Sequence, residues 1–126
     1  MSTTSKFDSE KLDFSACEPP CSPEQIHSQV LDYVRSAQAL CGFRLRITSG
    51  FRSKAYERSK GRNGSSSHSK TPGLAVDISV VDSHTRYKVI LALLYLGVPR
   101  LGIGKTFIHL DIDESKPHPS IFHYYD

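Results

Sequence analysis

Ile26, Val30, Tyr33, Val34, Ala37 and Leu40 recur at helical spacing, which predicts an amphipathic helix. Ser22 suits its N-cap, Pro23 its first position, Gln25 a capping box and Gly42 its stop. The period then changes to two. Phe43, Leu45 and Ile47 alternate with Arg44, Arg46 and Thr48, the pattern of a half-buried strand. A turn at residues 49–53 leads to a short helix around Ala55 to Lys60, and residues 61–73, rich in Gly, Ser and Pro, read as a loop. Leu74, Val76, Ile78 and Val80 alternate with Ala75, Asp77 and Ser79 in a second strand. Ser83 caps a helix running to Leu96, apolar almost all round from Val89 and so expected to be well buried, with Gly97 and Pro99 ending it. Leu101 to Lys105 and Thr106 to Asp113 follow as strands, and Ile121 to Tyr125 as an edge strand. Strands outnumber helices and follow one another toward the C-terminus. This order predicts an α+β fold, a mostly antiparallel sheet with helices packed on one face and the other face open.

Composition narrows the class. The chain has 126 residues, 38% hydrophobic and 23% charged, which predicts one domain, with residues 1–21 as an irregular segment wrapping its surface. The longest apolar run, Val89 to Leu96, falls far short of the roughly 20 residues of a membrane span, so no membrane partner is expected. Met-Ser-Thr-Thr-Ser-Lys at the start has no apolar stretch of a signal peptide. Three cysteines, Cys17, Cys21 and Cys41, cannot all pair within one chain, so cytoplasmic synthesis with free thiols is expected. Cys17 and Cys21 have the spacing of half a zinc site, but a second pair is missing. The formal net charge is only +3, yet Arg44, Arg46, Arg52, Lys54, Arg58, Lys60, Arg62 and Lys70 crowd one stretch. Such a stretch attracts an anionic polymer, or is simply a solvated surface. It lacks interleaved aromatic residues for stacking bases, so specific nucleic-acid binding is not expected.

Candidate chemistry lies on the polar side of the strands. Asp77 sits between Val76 and Ile78, and His109 between Ile108 and Leu110, so both point away from the apolar face. His68, in the loop before the Asp77 strand, is placed to fold over them. Two histidines and an aspartate would hold zinc with one tetrahedral position left for water. With six histidines and thirteen acids in the chain, such a grouping also arises by chance.

Ser49-Gly50-Phe51-Arg52-Ser53, Ser66-Ser67-His68, Gly73-Leu74-Ala75-Val76-Asp77-Ile78 and Phe107-Ile108-His109-Leu110-Asp111 occur in that order. This set, spanning about residues 43–113, resembles the M15 family of zinc peptidases, which includes D-Ala-D-Ala carboxypeptidases, dipeptidases and phage endolysins. The related hedgehog signalling domain shares that fold. The resemblance implies a Zn²⁺ held by His68, Asp77 and His109, and Arg52 gripping a substrate carboxylate or carbonyl. It also implies hydrolysis of a peptide bond in peptidoglycan stem peptides; separately, a monomer is expected. Two settings are compatible with a chain lacking a signal peptide: a phage lysis enzyme released by other means, or a cytoplasmic recycling enzyme. The alternative is a hedgehog-like zinc module without catalysis.

The sequence departs from the family pattern twice. Lys70-Thr71-Pro72 resembles a small insertion between the first two ligands. Thr106 stands where many members carry a catalytic Glu three residues before the last histidine ligand. Asp111, two residues beyond His109 on the same strand face, is therefore assigned as general base; the rival role is to accept an N–H from a ligand histidine and orient it. Ser66 and Ser67 are expected to shape the loop and support His68. His84 and His118 are expected at the surface, and His123, Tyr124 and Tyr125 in packing roles.

Overall fold

The computed structural model describes residues 7–124; the opening Met1–Lys6 stretch, Tyr125 and Asp126 lie outside the described residues. Among the described residues the fold is α+β, with a five-stranded sheet and three α-helices. The helices are α1 (Ser28–Cys41), α2 (Lys54–Ser59) and α3 (Ser83–Tyr95). The strands are β1 (Ile47–Ser49), β2 (Ala75–Ser79), β3 (Arg100–Ile103), β4 (Phe107–Asp111) and β5 (Ser120–His123). Their order across the sheet is β1-β2-β4-β3-β5, antiparallel except for the β3–β5 pair. No helix among the described residues is long and apolar enough to cross a membrane.

The first helix starts later than its periodicity predicts. Pro23–Gln25 forms a single 3₁₀ turn, in which the Gln25 side chain accepts the Ser22 N–H at 3.0 Å. Ile26 is then extended and pairs with Gly73: the Gly73 N–H donates to Gln25 O, and the His27 N–H donates to Gly73 O. The backbone that would continue the helix instead fastens the loop entering β2. The helix restarts with His27 as its cap, Nδ1 accepting from the Gln29 N–H, and ends at Gly42, whose φ of 80° suits glycine.

Val30, Leu31, Val34 and Ala37 of α1 and Val89, Ala92 and Leu93 of α3 pack against one sheet face, formed by Ile47, Val76, Ile78, Leu101, Ile108 and Leu110. The expectation that α3 is buried all round is corrected. Leu91, Leu94 and Tyr95 are exposed, because a helix lying on a sheet buries one stripe, and no other layer covers its back among the described residues. Residues 7–21 do wrap the domain. Leu12 and Phe14 pack on the core, Asp13 bridges Arg46, and the buried Gln38 side chain donates to Ser9 O and Lys11 O while accepting from the Leu45 N–H.

Register determines what meets on the other face. Asp77 pairs with Ser49 on β1 and His109 on β4; His109 pairs with Gly102, and Gly102 with Phe122. One rung lower, Ala75, Asp111, Arg100 and Ser120 stand side by side. Two rows of polar and aromatic residues thus cross the sheet opposite the helices.

Candidate metal centre

Asp77 and His109 arrive as a cross-strand pair. His68 comes from a 3₁₀ turn, Ser67–Ser69, capped by Ser66, whose Oγ accepts the His68 N–H at 3.1 Å. The loop carrying it is tied down rather than free: Ser67 Oγ donates to Asp113 Oδ2 at 2.7 Å, and the Arg52 N–H donates to His68 O. Ser67, His68 and Ser69 are all buried, and so are His109 and Asp111. This loop brings His68 against Asp77 and His109 on the sheet face opposite the helices.

Each histidine has one nitrogen fixed by an outside acceptor. His68 Nδ1 lies 2.7 Å from Gly50 O, and His109 Nε2 lies 2.6 Å from Asp111 Oδ2. A carbonyl and a carboxylate both demand a donor, so with a cation in place these nitrogens carry the protons and the opposite nitrogens offer it their lone pairs; without one, His109 Nδ1 donates to Asp77 Oδ1. Those lone-pair atoms, His68 Nε2 and His109 Nδ1, face each other at 3.3 Å and lie 3.4 and 2.9 Å from Asp77 Oδ1. Three acceptors thus converge on one point, with a spread under 4.8 Å. Ligand atoms around a single tetrahedral zinc, at about 2.0–2.1 Å from it, stand about 3.3 Å apart. Two nitrogens and a carboxylate oxygen at this spacing fit such an ion. Without a cation the cluster shares protons. Burial pushes the Asp77 carboxyl up, but His68 and His109 outweigh it and hold it well below the carboxylate range. Burial lowers the His109 pKa, yet its bonds to Asp111 and Asp77 raise it above the usual imidazole value.

The surroundings of Asp111 bear on its two expected roles. Both its oxygens are engaged: Oδ2 by His109, Oδ1 by Arg100 Nε at 2.8 Å and by the Asp113 N–H at 3.0 Å. Burial works against its ionisation, but these donors hold it below the carboxylate range. A buried carboxylate so bonded to His109 Nε2 has the arrangement of a partner that orients a histidine.

Arg52 enters the same cleft, a cavity of about 370 Å³ that His68, Asp77 and His109 also line. Its Nη1 donates to Ser49 Oγ at 3.1 Å and its Nη2 to Ser66 Oγ at 3.3 Å. Its Nε stands 3.4 Å from Glu57 Oε2. Glu57, on α2, is buried; although burial opposes its charge, Arg62 and Arg52 hold its pKa down, and Arg62 grips it with two hydrogen bonds. Ser66 thus holds both Arg52 and the His68 turn, since its Oγ meets Arg52 Nη2 and accepts the His68 N–H, while Glu57 anchors Arg52 from outside the ligand cluster.

The sequence reading missed part of the cleft wall. Phe107, Phe122 and Tyr124 line it, with the Phe122 and Tyr124 ring centroids 5.7 and 6.2 Å from that of His109. Tyr124, expected to pack the chain end, reaches this position because β5 lies parallel beside β3. Gly102 makes room for it, since a Cβ there would stand 2.6 Å from Phe122 and 2.7 Å from Tyr124. Burial, together with Asp77 and Asp111, pushes the Tyr124 hydroxyl up to about 12. Only Phe107 announced itself, by sharing the alternation of His109 and Asp111. His84 and His118 are at the surface as expected, and His123 is exposed on the edge strand.

A family model described as Peptidase M15 matches residues 6–111, taking in His68, Asp77, His109, Arg52 and Asp111. No curated protein and no solved structure matches the chain.

Proposed function

The chain belongs to the peptidase M15 family, and from that premise we propose a zinc-dependent peptidase that hydrolyses peptide bonds in peptidoglycan stem peptides. The observation that carries the reading is the convergence of His68 Nε2, Asp77 Oδ1 and His109 Nδ1, each histidine turned to it by a separate acceptor. Zinc, when bound, supplies Lewis acidity toward water and a peptide carbonyl. Arg52 binds a substrate carboxylate or carbonyl through its planar fork, while Ser49, Ser66 and Glu57 hold the fork still. Asp111 keeps the His109 Nε2 proton in place, and with it the lone pair on Nδ1. The aromatic wall of Phe107, Phe122 and Tyr124 shields one side of the cleft from water. The basic stretch from Arg44 to Lys70 favours encounter with an anionic wall polymer.

A second reading, a zinc module that binds without cleaving, has its own support. The carboxylates lining the cleft among the described residues are Glu57, Asp77 and Asp111, and each is engaged by arginine or histidine. Thr106 offers no carboxylate at the family's Glu position.

Digestion of purified peptidoglycan with zinc-loaded protein, read by mass spectrometry, separates these readings. Free D-alanine marks a carboxypeptidase, and new internal amino termini mark an endopeptidase. Stoichiometric zinc with no product supports the binding module, and protein that retains no zinc sinks both.

A further inference from the structure

Behind the turn that carries Arg52 lies a pair of thiols that the peptidase reading does not use. Cys17 is buried and Cys21 partly exposed, and their sulfurs stand 3.0 Å apart. Both press on the Gly50–Phe51 peptide: the Gly50 N–H meets Cys17 and the Phe51 N–H meets Cys21. Gly50 permits this approach, because a Cβ there would stand 2.5 Å from Cys21 Sγ and 3.4 Å from Cys17 Sγ. The carbonyl of the same Gly50 takes the His68 Nδ1 proton.

The sulfur separation discriminates between uses of such a pair. Two thiolates sharing a tetrahedral zinc, at about 2.3 Å each, would stand about 3.8 Å apart. The observed 3.0 Å is closer than that, and no third metal-ligating group joins the two cysteines among the described residues. Closing to a disulfide, at about 2.05 Å, takes about 1 Å of further approach.

We propose that Cys17 and Cys21 form a thiol–disulfide exchange site, oxidised by a low-molecular-weight disulfide to an intrachain disulfide beneath the Gly50–Phe51 peptide. The more exposed Cys21 reacts first. Its thiolate attacks one sulfur of the small disulfide, forming a mixed disulfide and expelling one thiolate, which takes a proton from water. Cys17 then loses its proton to solvent and attacks the Cys21 sulfur, expelling the second small thiolate. Two protein thiols are oxidised and one small disulfide is reduced to two thiols. The asymmetry of the pair supports this order. The hydrogen bond between the two sulfurs, with burial, pushes the Cys17 thiol up, while the same bond lowers Cys21 to about 7.

Incubating the native chain with oxidised glutathione, quenching in acid and mapping peptides by mass spectrometry tests the proposal. The expected product has lost two hydrogens, carries a Cys17–Cys21 cross-link and leaves Cys41 open to alkylation. Cys17→Ser should stop at a glutathione adduct on Cys21, and Cys21→Ser should react at Cys17 at least tenfold more slowly than Cys21 does. Persistent glutathione on Cys21 of the unaltered chain, a cross-link to Cys41, or three thiols still alkylatable would each overturn it. This readout needs neither metal nor substrate, so it stands or falls apart from the peptidase reading.

Discussion

The two faces of the β2–β4 strand pair are made from alternate residues of the same short segments, yet they are held together in different ways. On the helix side, Val76, Ile78, Ile108 and Leu110 are fully buried among apolar neighbours. Each large side chain there contributes about 1.5–3 kcal/mol through removal of apolar surface from water. On the cleft side, Asp77, His109 and Asp111 are also largely hidden, but what they bury is charge. Buried charge is tolerated only when paired, and here the pairing runs as one chain from His68 and Asp77 through His109 and Asp111 to Arg100. One face asks for apolar bulk that fills its space. The other tolerates no missing member, because each removal strands a neighbour.

The largest effect on metal binding should come from His109→Ala. It removes one of the three converging acceptors and leaves Asp77 and Asp111 buried without their shared partner. We expect metal affinity to fall more than a hundredfold by elemental analysis and competition. We also expect stability to fall by about 3 kcal/mol, the scale of breaking a buried ion pair. A variant as stable as the parent would show that the cleft face carries no structural burden and would erase the contrast between the faces.

Leu110→Ala, one residue away and pointing the other way, should cost about 2–5 kcal/mol in denaturant unfolding, from lost burial and the cavity left behind. Its folded fraction should keep a full complement of metal. If metal is lost as well, the two faces are coupled through the strand and the separation drawn here is too sharp.

Asp111→Asn keeps the shape but weakens the grip on the His109 Nε2 proton. Loss of such an orienting partner costs about 10- to 100-fold in metal affinity. Turnover at saturating zinc should then recover. Unchanged affinity with turnover down a hundredfold would restore Asp111 as the proton acceptor.

Arg52→Lys replaces a planar fork with a point charge. It should lower kcat/KM at least tenfold on the peptide identified by digestion, about 1.4 kcal/mol of transition-state stabilisation. Preserved activity with a lower melting temperature would reduce Arg52 to a strut for Glu57.

The smallest effect concerns Asp113, which joins the His68 loop to the end of β4 through Ser67 and Ser115. Burial pushes its carboxyl up, but those hydroxyls outweigh burial and bring it down to about 2. The unfolded value is about 3.9, so its stabilising contribution is complete above that pH and disappears as pH falls through about 2. Asp113→Asn should cost about 1 kcal/mol at neutral pH, the scale of a net hydrogen bond, and the two stability curves should converge as pH falls toward 2. Parallel curves across that window would assign the acid sensitivity to another carboxylate.

Much of this arrangement was already written in local pattern. Period-two alternation is a property of the extended backbone itself, so Asp77, His109 and Asp111 fall opposite the apolar face whatever partners their strands find. The alternation of β2 and β4, the stop at Gly42 and the Ser-x-His and His-x-Asp motifs needed no tertiary information. Pairing was another matter. Only closure of the chain decided that Asp77 stands across from His109 rather than a rung away, and that Arg100 meets Asp111. Closure also decided that β5 turns parallel to bring Tyr124 beside the metal ligands, and that Gly73 claims Ile26 from the helix. These contacts join residues far apart in the chain, and no local periodicity encodes register between distant segments. The surroundings of Asp111 were hidden for the same reason: its strand face was legible, but Arg100 and Asp113, which occupy its second oxygen, meet it only in the folded sheet.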